Sequence, residues 1–191
     1  MKQNGFKKVI YADYLAKKIA KDKERLLRKR ETLKMRKELK KEKKRAKKYI
    51  ESLPKKLEKI SHDHVRKRDS ITEFEIKGYC CSCKKLAEGA SFQAGHYRPS
   101  GGSGILLRYH PWNMHGQCSG CNMWVRQETV KPEYAEFMHR RYTPEQLQEM
   151  HDMKNSRSLK IQADKYFYET MIDLYKAGDE IAIVNFLRSY L

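Results

Sequence analysis

The sequence predicts an α+β fold. A small core of two strands and a helix, stapled by cysteine pairs, is flanked by a long basic N-terminal helix and by further helices at the C-terminal side. Three observations carry this expectation. From Tyr11 to about Ser52 there is neither Gly nor Pro, and Lys, Arg, Glu, Leu and Ala, all good helix formers, dominate. All five cysteines fall in two tight clusters, Cys80, Cys81 and Cys83, then Cys118 and Cys121. Past the second cluster, helix start and stop signals follow one another to the end of the chain.

The N-terminal helix is also where the charge lies. Up to Ser70 there are 27 Lys+Arg against 10 Asp+Glu, and 15 against 14 thereafter, in a chain of 191 residues with formal net charge +18. Such an excess points to a polyanionic partner, because Lys and Arg that neutralise phosphates gain free energy through counterion release. DNA is therefore expected as partner, and a membrane is not. No apolar run approaches the roughly 20 residues needed to span a bilayer, and Met1 to Gly5 lacks the apolar stretch of a signal peptide, so a cytoplasmic location is expected. Ile19, Leu26 and Leu33 recur every seven positions, but Asp22, Lys29 and Arg36 occupy the companion stripe, which argues against a stable coiled coil. A solvated, partly frayed charged helix and a DNA-tracking arm are both compatible with this segment.

The remaining elements follow from local signals. Pro54 can open a second helix with Leu57, Ile60 and His64 on one face, ending near Arg68. The alternation Thr72-Glu-Phe-Glu-Ile76 reads as a short strand leading into the first cysteine cluster. Thr143-Pro-Glu-Gln146 reads as a capping box opening a helix to about Asn155. Helices from Ile161 to about Ala177 and from Glu180 to about Tyr190 are divided by Gly178-Asp179, a C-terminal stop followed by a new N-cap. The expected division is a basic helical arm over 1–53, a cysteine-stapled domain over 54–142 and a helical region over 143–191.

Cys80-x-x-Cys83 and Cys118-x-x-Cys121 are two knuckles, each able to present two thiolates to one face of a tetrahedral ion. Together they predict a closed structural Zn²⁺ site, with Cys81 the spare thiol. In a reducing compartment such clusters favour metal over disulfides.

Between the knuckles stand Phe92-Gln-Ala-Gly-His96-Tyr-Arg98, a Gly/Ser loop, Ile105-Leu-Leu-Arg-Tyr109, Trp112-Asn113-Met-His115-Gly-Gln-Cys118 and Cys121-Asn122. This is the order of an HNH site, the ββα-metal arrangement. A His on the first strand deprotonates water, an Asn in the connecting loop fixes that strand or the His, and a residue on the following helix holds a divalent ion, Mg²⁺ or Mn²⁺. His96 is then the general base, Asn113 the central Asn and Asn122 the metal ligand. Arg98 and Arg108 flank the hairpin as candidate phosphate contacts. The Gly101 to Gly104 loop reads as a flexible turn or a flap contacting DNA, not as a nucleotide cradle. His62, His64, His110, His139 and His151 carry no metal spacing with each other, and packing or surface roles are expected for them.

The string Cys80-Cys-Ser-Cys83, Gln93-Ala-Gly-His-Tyr-Arg98, Leu107-Arg-Tyr109, Asn113-Met-His115-Gly-Gln-Cys118 and Cys121-Asn122 closely resembles the phage NinG (Rap) family of recombination endonucleases. The likeness is detailed from about Arg66 to Asn122 and looser in the basic arm and the Tyr142-Thr143 helix. The resemblance implies a structure-specific nuclease for branched recombination intermediates such as joint molecules and Holliday junctions, acting as a homodimer in the host cytoplasm. The cysteine pairs and the Cys-x-x-Cys-Asn ending also look like those of phage junction resolvases with a ββα-metal core. Two departures stand out. HNH sites usually carry Asp or His, as a metal ligand, just before the catalytic His, whereas Gly95 stands here; and the arm lacks the cysteine cluster often found in the family. Glu88 is the only acidic residue between Cys83 and Asn122, so the second ligand falls to His115, Asn122, Gln93 or Glu128, with His115 favoured as ligand or phosphate contact. The competing readings are a non-catalytic zinc-ribbon DNA-binding accessory protein and a basic helical scaffold. The joint presence of His96, Asn113 and Asn122, which a binding module does not need, separates them from the nuclease.

Overall fold

The structure, a computed structural model, describes residues 3–99, 104–123, 127–155 and 163–191. Most of the glycine-rich loop (100–103) and the expected helix start at Ile161 lie outside these residues. The element order is α1 (Gln3–Arg68), β1 (Lys77–Tyr79), β2 (Leu86–Glu88), β3 (Phe92–His96), α2 (Gly104–Arg108), β4 (Met114–Cys118), α3 (Ser119–Asn122), α4 (Gln127–Arg141), α5 (Pro144–Asn155), α6 (Lys165–Ala177) and α7 (Glu180–Arg188). Single 3-10 turns fall at Gly89–Ser91 and Pro111–Asn113. The fold is thus mixed and helix-rich, with two small antiparallel sheets, β1-β2 and β3-β4. No helix among the described residues is long and apolar enough to cross a membrane.

Contacts divide the chain into two units, Met1–Glu51 and Ser52–Leu191. In the first unit the helix is solvated: Ile19, Leu26 and Leu33 are all more than half exposed. Pairs one turn apart, Asp13 with Lys17 at 2.8 Å and Glu24 with Arg28 at 2.6 Å, lace its surface, each contributing a few tenths of a kcal/mol, about 0.3–0.5.

In the second unit Leu53, Leu57 and Val65 of α1 are fully buried against Ala94, Leu106, Tyr109 and Met114 of the hairpin region and Phe167, Met171, Ile183 and Leu187 of α6 and α7. Helices α6 and α7 therefore share a core with the hairpin. Pro54 lies inside α1 and does not end it. A proline deprives the helix of one hydrogen bond, and burial of Leu53 and Leu57 on either side offsets that loss. The Thr72 to Ile76 segment is not a strand: Phe74 is 96% exposed, and pairing begins only at Lys77, in the register Gly78 to Ala87. Alternation alone cannot make a strand where no partner lies alongside and no face is covered.

β3 and β4 pair in the register Ala94 to Gly116 and His96 to Met114. The ring of Phe92, fully buried, occupies the space where side chains at Gly78 and Gly116 would stand; a Cβ at Gly78 would lie 2.5 Å from its Cζ, and one at Gly116 would overlap the ring. Glycine at these two positions lets the two sheets close on Phe92. At the C-terminal side the signals act as expected. Thr143 and Gln146 exchange backbone N–H bonds at 2.9 and 3.3 Å. Gly178 takes φ 74, the left-handed conformation that ends α6, and Asp164 and Asp179 cap α6 and α7 by accepting from Phe167 and Ala182 N–H groups.

Candidate metal centre and hairpin site

Cys80 and Cys83 follow β1, whereas Cys118 ends β4 and Cys121 lies on α3; the two sheets bring the four ligands together. Their sulfurs all lie within 4.8 Å of one another, and Cys83 and Cys118 Sγ are 3.7 Å apart. A tetrahedral Zn²⁺ with Zn–S bonds of about 2.3 Å spaces its sulfurs by about 3.8 Å, so the cluster has the dimensions of a structural zinc site. Cys81 takes no part. It packs with Leu107, Tyr134, Met138 and Met150, and burial pushes its thiol pKa up.

On the hairpin, His96 Nε2 lies 2.9 Å from the Arg108 carbonyl oxygen. A carbonyl only accepts, so Nε2 carries the proton and Nδ1 keeps its lone pair. Burial lowers the His96 pKa to about 4; the Arg108 carbonyl opposes, and the nearby His62 and Arg108 charges add to the lowering. The ring is therefore neutral at neutral pH. Asn113 is fully buried and clamps the connecting loop: its Oδ1 accepts from Arg98 N–H at 2.8 Å, and its Nδ2 donates to the carbonyls of Arg98 (3.1 Å) and Leu107 (3.0 Å). One side chain thus ties the segment after His96 to α2, whose Arg108 holds the His96 ring. Asn122 closes the set from α3, its Nδ2 donating to Gln93 Oε1 at 2.9 Å.

His115 is not brought to this site. It pairs across the hairpin with Gly95, whereas His96 pairs with Met114, so the two imidazoles leave opposite faces of the sheet. His115 is fully buried and both ring nitrogens are engaged. Arg68 donates to Nδ1 at 2.9 Å, while Nε2 lies 3.1 Å from both the Trp112 carbonyl and the Tyr142 hydroxyl. No lone pair is left for an ion, and its expected part as ligand or phosphate contact is corrected to a structural one. Gln93 is likewise occupied, with its Oε1 on Asn122 and its Nε2 on the Ala90 carbonyl at 3.3 Å. The side chain of Glu128 lies outside the described residues.

Arg98 and Arg108 both border the hairpin and are partly exposed. Arg108 pairs with Glu58 at 3.2 Å, and Arg98 stacks over the Tyr97 ring. Residues of α1 that the sequence did not single out complete the surroundings. The His62 ring stands edge-on to His96 with centroids 5.8 Å apart, and Arg66 donates to the Phe92 and Gly89 carbonyls at 2.7 and 2.6 Å. Glu58, His62 and Arg66 recur every four residues beside the buried Leu57 and Val65, a polar stripe bordering an apolar one, which was the available signal. A groove of about 410 Å³ runs between this stripe and the hairpin, lined by Lys59, His62, Arg66, Phe92 and Asn122 among others. Arg68 is the hub beneath it, donating to Asp69, Glu180, the Pro111 and Met114 carbonyls and His115 at 2.7–3.0 Å.

Fold and site together define a mixed, helix-rich protein whose two small sheets are joined at a four-cysteine cluster of zinc-site dimensions. The family described as Bacteriophage Lambda NinG protein matches residues 4–179, and the chain belongs to that NinG family. No curated protein and no solved structure matches the chain.

Proposed function

We propose that the protein is a divalent-metal-dependent DNA endonuclease of the HNH, or ββα-metal, type, with Zn²⁺ in its four-cysteine site. The observation that carries this reading is the His96–Arg108–Asn113 linkage. A neutral imidazole is held by Nε2 with Nδ1 left as base, on a hairpin whose loop is locked by a buried Asn and followed by a helix bearing Asn122. A packing histidine does not need that arrangement.

In the proposed reaction Nδ1 of His96 accepts the proton of the attacking water as its oxygen forms a bond to phosphorus and the 3′ oxygen leaves. Asn113 acts as a positioning residue through the loop, and Arg108 and Arg98 contact the phosphate. Asn122 would hold the Mg²⁺ or Mn²⁺ ion, a role its amide oxygen fits. Such an ion, when bound, polarises the scissile phosphate and stabilises the leaving oxygen. The zinc is scaffold, and the basic helix follows the DNA backbone. Branched recombination intermediates, cut by a homodimer, are the proposed substrates; family membership is the support for that substrate class.

The test is incubation of the zinc-loaded protein with supercoiled plasmid, linear duplex and a four-way junction, with Mg²⁺ or Mn²⁺ and with chelator. Metal-dependent cleavage with preference for the junction is expected. Tight binding without any cleavage would leave a DNA-binding accessory module as the better reading.

A further inference from the structure

The outer edge of β3 carries backbone groups with no strand beside them. Tyr97 N–H donates to the Asn113 carbonyl at 2.8 Å, and bonded pairs alternate along an antiparallel ladder, so Gln93 and Gly95 bond to β4 while Phe92, Ala94 and His96 turn their backbone groups outward. The residues opposite accordingly bond elsewhere: Gly116 N–H donates to Asp69 and its carbonyl accepts from Cys81, and the Met114 carbonyl accepts from Arg68. Arg66 covers the Phe92 carbonyl at 2.7 Å, which leaves Ala94 and His96 as the open edge, too short for an added peptide strand. Ala94 lines the groove between β3 and α1, together with Lys59 and His62.

Charge in that groove is one-sided. Asp63, the only carboxylate among its lining residues, faces Arg66 at 3.6 Å, and the nearby Glu58 faces Arg108 at 3.2 Å. Lys59 is exposed and enters no ion pair among the described residues, and the His62 ring makes no hydrogen bond among them. Burial lowers the His62 pKa against the pull of Glu58, so at neutral pH the ring is neutral and offers one N–H. One cation and two neutral N–H donors around a space of about 410 Å³ suit an anion. The His62 ring stands beside that of His96, with centroids 5.8 Å apart, so an anion held here lies next to one held at His96. A DNA strand supplies phosphates in such succession.

We propose that this groove is a phosphate subsite, in which Lys59, the His62 ring and the Ala94 N–H bind the backbone phosphate that flanks the one at His96 on the same DNA strand. That the phosphate at His96 is the one cleaved rests on the nuclease reading; the subsite needs only that the protein binds DNA. Lys59 contributes affinity through counterion release, and the two N–H groups fix where the phosphate oxygens sit. The contact positions the strand and reads no base.

The test is the affinity of the zinc-loaded full-length protein for a four-way junction carrying one methylphosphonate, an uncharged replacement for a phosphate, moved stepwise along a strand. At one position the replacement should weaken wild-type binding by about fivefold or more, and should cost Lys59→Met, already weakened by a similar factor on the unmodified junction, nothing further. Lys59→Arg keeps the charge and should respond as wild type does. A measurement on the wild type needs no variant to fold: a short DNA duplex should shift the Ala94 amide and His62 ring resonances. Where the protein cuts, the coupled position should adjoin the cleaved phosphate. Equal cost to wild type and Lys59→Met at every position, or Ala94 and His62 resonances that do not move on DNA binding, overturns the proposal. Cutting without any position coupled to Lys59 keeps the nuclease reading and loses the subsite; a coupled position without cutting does the reverse.

Discussion

Nε2 of His96 donates to the carbonyl oxygen of Arg108 across 2.9 Å, and this bond decides which nitrogen of the ring can work as a base. The carbonyl is itself held in place through Asn113, which bonds the neighbouring Leu107 carbonyl and both backbone groups of Arg98. Replacing Asn113 by Ala removes the partner of the half-buried Arg98 N–H and carbonyl and leaves the Leu107 carbonyl with the His110 N–H alone. We expect a loss of stability of about 1–3 kcal/mol, and a fall in cleavage rate larger than the fall in DNA affinity. Urea denaturation and single-turnover cleavage check this; an unchanged unfolding midpoint with wild-type rate would show that the clamp is dispensable.

The cysteine cluster yields a contrast between neighbours. Cys83→Ser or Cys121→Ser should lower zinc content and unfold the region around the two sheets, because the ion joins them and binding is coupled to folding. Cys81→Ser should keep full zinc and lose only packing against Leu107 and Met138. Metal analysis and thermal unfolding of the three variants decide it; equal zinc loss in all three would make Cys81 a ligand.

Acid should destabilise the protein in a defined window. Burial opposes ionisation of Glu180, but His64 and Arg68 hold its pKa down to about 2 from 4.5. A carboxyl so depressed binds fewer protons folded than unfolded, so its contribution is complete above pH 4.5 and is lost as pH falls toward about 2. His96 and His110, buried with pKa values of about 4 against 6.5, act with the same sign: the unfolded chain protonates first, and stability falls as pH drops from 6.5 to 4. Unfolding midpoints should decline steadily over these two ranges. Zinc release acts in the same direction, and the difference between wild type and Glu180→Gln isolates the carboxyl. That difference should shrink between pH 4.5 and 2, and a constant difference would contradict the assignment.

Removal of the first unit separates its charge from the rest. Deleting residues 1–51 should weaken DNA binding strongly and flatten the dependence of log Kd on log salt, with zinc content retained. An unaltered salt slope would exclude the basic helix from the DNA interface.

How much of this was legible in the sequence depends on how far apart the cooperating residues lie. The Thr143–Gln146 capping box, the Gly178 stop and the cysteine knuckles are local patterns whose partners sit within a few residues, and they formed as read. The Thr72 to Ile76 strand failed because strand formation needs a partner, and Lys77–Tyr79 had the better one in Leu86–Glu88. Pro54 did not end α1 because Leu53 and Leu57 are anchored by residues more than 100 positions away in α6 and α7. Shorter separations, still beyond the reach of local patterns, hid His62 beside His96 and left the place of His115 undetermined. One strand position decides which face of the sheet a side chain leaves, and only the register with Gly95 shows that His115 turns inward to Arg68.

The role of His96 as general base is tested by cleavage of a four-way junction and of duplex DNA by His96→Ala beside wild type, under matched metal and salt, with zinc content and DNA affinity measured on the same preparations. A fall in rate of roughly 10² to 10⁴ is expected, the range usual for loss of a positioned proton acceptor, with zinc and affinity close to wild type. Cleavage by purified His96→Ala at the wild-type rate would contradict it.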